Sequence, residues 1–175
     1  CARPLAFMER GGEYWLISEF LADAADLDLV VLMMLPRLEP AGRAEIKRRI
    51  SAAIAEFFSS LVRGGWRHRD LKASNLLVVN LERVVVVDWE GLRRRRPWDS
   101  AAGRGGIVRL TASLVESPRL TLRDLARFLR DCVRRSLIQG VDSRNVLLQI
   151  LSEARTYNRA AKRRKADKLD GFGAG

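Results

Sequence analysis

The stretch His68-Arg69-Asp70-Leu71-Lys72-Ala73-Ser74-Asn75 brings together side chains that could do chemistry, and Asp88 follows thirteen residues after Asn75 at the end of an apolar run. Phosphoryl transfer needs positioning and charge neutralisation more than covalent help. A carboxylate must orient an attacking hydroxyl and accept its proton, and Asp70 suits that role. A cation should sit on the moving phosphoryl group, and Lys72 lies two residues further on. Magnesium is a hard ion that prefers oxygen donors, and the Asn75 amide and the Asp88 carboxylate supply two. A lone aspartate in a loop means little. Here the whole loop, the apolar runs behind it and the distal aspartate agree in order.

Such a site needs rigid supports. Ahead of the loop, Ile46, Ile50, Ile54, Phe57, Phe58 and Leu61 recur at helical spacing, which predicts an amphipathic helix over Arg43–Arg63 closed by Gly64-Gly65. Behind it, Leu76–Val79 and Val84–Val87 read as a β-branched hairpin linked by Asn80–Arg83 and delivering Asp88. Upstream, Leu5–Met8 and Tyr14–Phe20 flank the turn Arg10-Gly11-Gly12-Glu13. Asp26–Leu35 predicts a short apolar helix ended by Pro36, with Pro40 and Gly42 in a linker. Downstream, helices are expected over Ile107–Val115, Thr121–Leu137 and Ser143–Lys168. Thr121 would cap the second, with Asp124 in its first turn. Residues 169–175 read as a disordered tail. The expected fold class is α+β, mainly helical with small β-hairpins.

The chain has 175 residues, 47% hydrophobic and 30% charged, enough for one domain with a sizeable core. The longest apolar runs, Leu29–Leu35 and Val84–Val87, are too short to span a membrane. A net charge of +11, concentrated at Arg93–Arg96 and Lys162–Lys165, favours anionic partners such as nucleotide phosphates, an acidic glycolipid or a membrane surface. No aromatic array interleaves the basic residues, so nucleic acid is a weak candidate. Cys1 and Cys132 make no disulfide framework, and one histidine excludes a multi-histidine metal site. A cytoplasmic location, peripheral at the inner membrane, is expected.

The chain resembles the protein-kinase-like superfamily, and within it the bacterial lipopolysaccharide kinase (Kdo/WaaP) family. The resemblance is carried by His68 to Val78 and by Val86-Val87-Asp88-Trp89-Glu90-Gly91-Leu92-Arg93. A weaker echo spans Arg109–Leu114 and Leu125–Leu129. It implies ATP and Mg2+ as cofactors, and a kinase acting on a sugar hydroxyl of the lipopolysaccharide core. It also implies that the backbone of Glu19 and Leu21 contacts adenine, with Leu77 on the pocket floor. Residues 1–22 would be the end of the small lobe and the hinge, and residues 23–168 the large catalytic lobe.

Three departures stand out. The residues ahead of the implied hinge hold no glycine-rich phosphate loop, strand lysine or helix glutamate, which reads as N-terminal truncation. The metal-binding triplet is Asp88-Trp89-Glu90 with the glycine displaced to Gly91, and Glu90 reads as an ordinary exposed charge. Gly105-Gly106 stands where the family tends to place an aspartate that anchors the loop from beneath. Other acceptors stay open: a protein serine/threonine kinase, or an aminoglycoside/choline-type phosphotransferase. An inactive pseudokinase is a further alternative.

Overall fold

In a computed structural model, residues 3–94, 100–135, 137 and 143–172 are described. Strands β1 (Pro4–Arg10) and β2 (Glu13–Ser18) form an antiparallel hairpin. Gly11 and Gly12 sit at φ +61 and +81, the left-handed pair that a tight two-residue hairpin turn requires. The hairpin leaves large apolar side chains in solvent, Trp15 among them at 55% exposure. A three-residue strand, β3 (Ala24–Asp26), follows and was not expected. The apolar helix anticipated next is present but irregular. It has one α turn, α1 (Leu27–Leu29), a π turn over Val30–Met34 and a 3-10 turn over Leu35–Arg37. Pro36 therefore lies inside the helical stretch and does not end it.

Helix α2 (Pro40–Arg63) begins three residues before the expected Arg43, because Pro40 occupies its first turn. The expected linker residues Pro40 and Gly42 are thus helical. Its buried face is Ile50, Ile54 and Phe58, and Gly64 caps its end, followed by Gly65 at φ +68. Next come β4 (Trp66–His68), a 3-10 turn over Ala73–Asn75, β5 (Leu76–Val79) and β6 (Arg83–Val86). β5 is the centre of an antiparallel three-stranded sheet, between β3 and β6. A 3-10 turn over Trp89–Gly91 leads into β7 (Leu92–Arg94), which pairs with β4 and sets His68 opposite Leu92. Arg93 and Arg94 are therefore strand residues, while Arg95 and Arg96 lie outside the described residues.

Helix α3 (Ser100–Leu114) starts ahead of the expected Ile107 and contains Gly105 and Gly106. A side chain at Gly106 would meet the Phe58 ring at 3.1 Å, so this glycine sets how closely α3 approaches α2. Helix α4 (Leu122–Arg134) stops three residues short of Leu137. α5 (Ser143–Phe172) runs past Lys168, so positions 169–172 of the anticipated tail are helical. Its Ala-, Lys- and Arg-rich end favours helix, and residues 173–175 lie outside the described residues. One core joins Leu35, Ile54, Phe58, Leu76, Leu110, Phe128 and Ile150. The architecture is α+β with small antiparallel sheets. Among the described residues, no helix is long and apolar enough to cross a membrane. Cys132 is buried in the core, and burial pushes its thiol up.

Thr121 caps α4 in a reciprocal box. The Asp124 N–H donates to the Thr121 hydroxyl (3.2 Å), and the Thr121 N–H donates to the Asp124 carboxylate (2.9 Å). Burial alone would raise the Asp124 carboxyl. Hydrogen bonds from Lys47 and Thr121 outweigh it and hold the group below its ordinary 3.8. A carboxyl depressed in the folded state stabilises the fold above its ordinary value, and that contribution is lost as pH falls through the folded value. Asp124→Asn is expected to lower stability at neutral pH. Its urea midpoint should then fall less than the parent's between about pH 4 and pH 2.

Candidate active site

His68 is only 4% exposed, so its ring nitrogens need partners inside the fold. Nε2 meets the Asp88 carbonyl, and Nδ1 accepts the Asp70 N–H at 3.2 Å. These two contacts fix the tautomer, with the proton on Nε2. One ring therefore ties the loop carrying Asp70 to the strand end carrying Asp88. The Arg69 N–H donates to the Gly91 carbonyl (2.8 Å), which extends the β4–β7 ladder by a residue. Gly91 has no side chain because none fits: a Cβ there would lie 2.2 Å from the His68 ring.

Asn75 is the second tie. Its Nδ2 donates to the Asp70 carbonyl (2.9 Å) and to the Asp88 carboxylate (3.2 Å). Its own carbonyl accepts the Val87 N–H (3.1 Å). With both acceptors taken by nitrogen, Oδ1 is the atom Asn75 can offer to a cation. Lys72 Nζ lies 3.1 Å from the Asp70 carboxylate, and both side chains are about half exposed at 47% and 51%. A pair so wet is worth at most about 1 kcal/mol, so Lys72 can leave Asp70 for a phosphate at little cost.

The loop is anchored from beneath by a residue to which the sequence assigned no role. The Ala73 N–H donates to Ser113 Oγ on α3 (3.0 Å), and that hydroxyl donates to the Leu110 carbonyl (2.8 Å). Leu71 and Ala73 alternate with the exposed Lys72 and are fully buried. Ser113 lies seven residues beyond Gly106, two turns along the same face of α3. Ser113→Ala is expected to cost about 1 kcal/mol in urea unfolding, with faster hydrogen exchange at the Ala73 amide.

Asp70, Lys72, Asn75 and Asp88 are linked by these contacts into one group. Leu77 follows on β5, half-buried and opposite both Asp26 and Val85. Glu19 and Leu21 lie between β2 and β3, and no hydrogen bond or ion pair among the described residues joins them to that group. The Glu19 N–H donates to the Arg3 carbonyl (2.9 Å), and the Leu21 carbonyl accepts the Ala24 N–H (3.2 Å). The Glu19 carbonyl and the Leu21 N–H make no such bond among the described residues. His68, Gly91 and Ser113 were named in the sequence motifs, but sequence reasoning gave them no part in holding the site together. A histidine two positions before the aspartate, at the buried end of a short strand, was the available signal for the first. For Ser113 there was none.

The donor set suits magnesium, which commonly takes one or two protein oxygens and completes its shell with phosphate and water. Asn75 and Asp88 would hold it. Among the described residues, no cluster of three or more His, Cys, Asp or Glu side chains could hold a metal ion, so any cation here depends on such added ligands. No protein-family model matches the chain, and no curated protein matches it.

Proposed function

We propose that this chain is the catalytic lobe of a kinase-like phosphotransferase that moves the γ-phosphoryl group of ATP to a sugar hydroxyl, with the lipopolysaccharide core as acceptor. The observation that carries the reading is the unbroken chain of contacts from Lys72 through Asp70 and Asn75 to Asp88. In it, a proton acceptor, an ammonium group and two oxygen donors meet on one loop and one strand end.

In this reading the Asp70 carboxylate orients the acceptor hydroxyl and takes its proton. Lys72 exchanges its contact with Asp70 for the transferring phosphoryl group. Asn75 Oδ1 and the Asp88 carboxylate hold magnesium, which when bound neutralises phosphate charge. His68 keeps the two halves in register and touches no reactant. The Glu19 carbonyl and the Leu21 N–H, an acceptor and a donor two residues apart, match the hydrogen-bonding edge of adenine, and Leu77 supplies apolar surface near it. The basic surface suits an acidic acceptor and contact with an anionic membrane surface.

Phosphate incorporation from labelled ATP tests the acceptor. The assay compares purified lipopolysaccharide core, a generic protein and an aminoglycoside. It uses the chain alone and the chain mixed with a small-lobe fragment that supplies a glycine-rich loop and a strand lysine. Preference for the core oligosaccharide is expected. Preference for the protein or the aminoglycoside would replace the proposed acceptor.

A further inference from the structure

Two helices of this fold carry arginines close to their positive ends. The N-terminal end of a helix is positive and favours carboxylates in its first turn. The first turn of α2 has none, its N-cap Glu39 makes no side-chain cap, and Arg43 follows directly. In α4, Arg123 stands beside the capping Asp124. The two helices run side by side in the same direction, as the contacts Lys47–Asp124, Ser51–Asp131 and Glu56–Arg135 require, so their positive ends lie together.

A groove of about 470 Å³ opens at that end, lined by Arg43, Lys47, Arg123 and Arg127 with Thr121 and Asp124. The carboxylate in this lining is already engaged. Asp124 holds Lys47 at 2.7 Å, Arg127 at 3.5 Å and the Thr121 N–H at 2.9 Å. Arg43 meets only carbonyls through Nη2, the nearer being Leu38 at 2.9 Å, and its Nε is buried with no partner. Arg123 is exposed and has no partner among the described residues. The N–H groups of Ala41 and Gly42 lie in the first turn, where a helix offers no acceptor, and nothing stands within 4 Å of a Cβ built on Gly42.

We propose that this groove binds a phosphate monoester, held by the Arg43 and Arg123 guanidinium groups and the first amides of α2. Four cations against one carboxylate match a dianion better than a carboxylate ligand. Guanidinium forks and helix-start amides both present donors in the geometry of a tetrahedral oxyanion. The site stands on α2 and α4, not on the loop of Asp70, and it does not rest on the phosphotransferase reading.

The test titrates the full chain with glycerol 3-phosphate against sodium chloride at matched ionic strength, following backbone amide shifts. Saturable shifts at Ala41 and Gly42 are expected with the ester and not with chloride. Arg123→Gln should weaken binding about tenfold, the loss of one charge-assisted hydrogen bond. The same variant should melt higher than the parent in phosphate-free buffer, because a cation is removed from a positive helix end. Vesicles containing phosphatidic acid, compared with phosphatidylcholine alone, show whether the phosphate is carried on a lipid. Arg123-dependent capture by the former assigns a headgroup, and response to the free ester alone assigns a soluble ligand. Equal responses to ester and chloride, or unchanged affinity in Arg123→Gln, would overturn the site.

Discussion

Asp70→Asn is expected to lower kcat for phosphoryl transfer by about a thousandfold, close to 4 kcal/mol of transition-state stabilisation, with the fold intact. The two structural bonds of Asp70 are made by its backbone, whose N–H donates to His68 and whose carbonyl accepts from Asn75. An amide of the same shape leaves both in place and removes only the proton acceptor. The exposed pair with Lys72 contributes too little to change the melting temperature by more than about 2 °C. ATP affinity should stay near the parent value, because the nucleotide and its cation are assigned to other groups. Steady-state kinetics beside thermal unfolding separate the outcomes. A variant that keeps its turnover would remove Asp70 as the base.

Gly91→Ala is expected to damage both stability and activity, by about 3 kcal/mol in unfolding free energy. An added Cβ would lie 2.2 Å from His68 Cε1 and 2.5 Å from Nε2. The ring cannot retreat cheaply, because it is buried and bonded at both nitrogens. Moving it releases the Asp88 carbonyl and the Asp70 amide together, so the Asp88 end and the Asp70 end lose their common register. Gly42→Ala is the contrast. Its Cβ would meet nothing within 4 Å, and alanine favours helix over glycine by about 1 kcal/mol, so that variant should be neutral or more stable. Urea denaturation of the two proteins measures the difference.

The sequence made long, periodic elements readable and short ones not. The apolar stripe of α2, the capping box of α4 and the Gly-Gly turn of the first hairpin each carry a local physical signal, and each stands where it was expected. β3 and β7 have three residues apiece, too few to show a period. They exist because β5 and β4 offer them edges, which is tertiary information. Pro40 and Gly42 looked like punctuation. Proline is well tolerated at the start of a helix and costs about 3 kcal/mol inside one, and only the register of the first turn decides between them. At the candidate site, Asp70, Lys72, Asn75 and Asp88 stood out in the sequence by residue type and spacing, and contacts join them in the fold. The scaffold behind them did not stand out in the same way. His68, Gly91 and Ser113 act through a ring contact, a missing side chain and a hydroxyl on a distant helix; the position of the histidine hints at the first, and the other two leave no pattern along the chain.

The most direct test of the account is paramagnetic. With Mn2+ in place of Mg2+ and ATP present, signal broadening in an amide spectrum should centre on Asn75 and Asp88 and disappear in Asp88→Asn. Broadening centred elsewhere, or indifferent to that substitution, would mean that the loop and the strand end do not form a nucleotide–metal site.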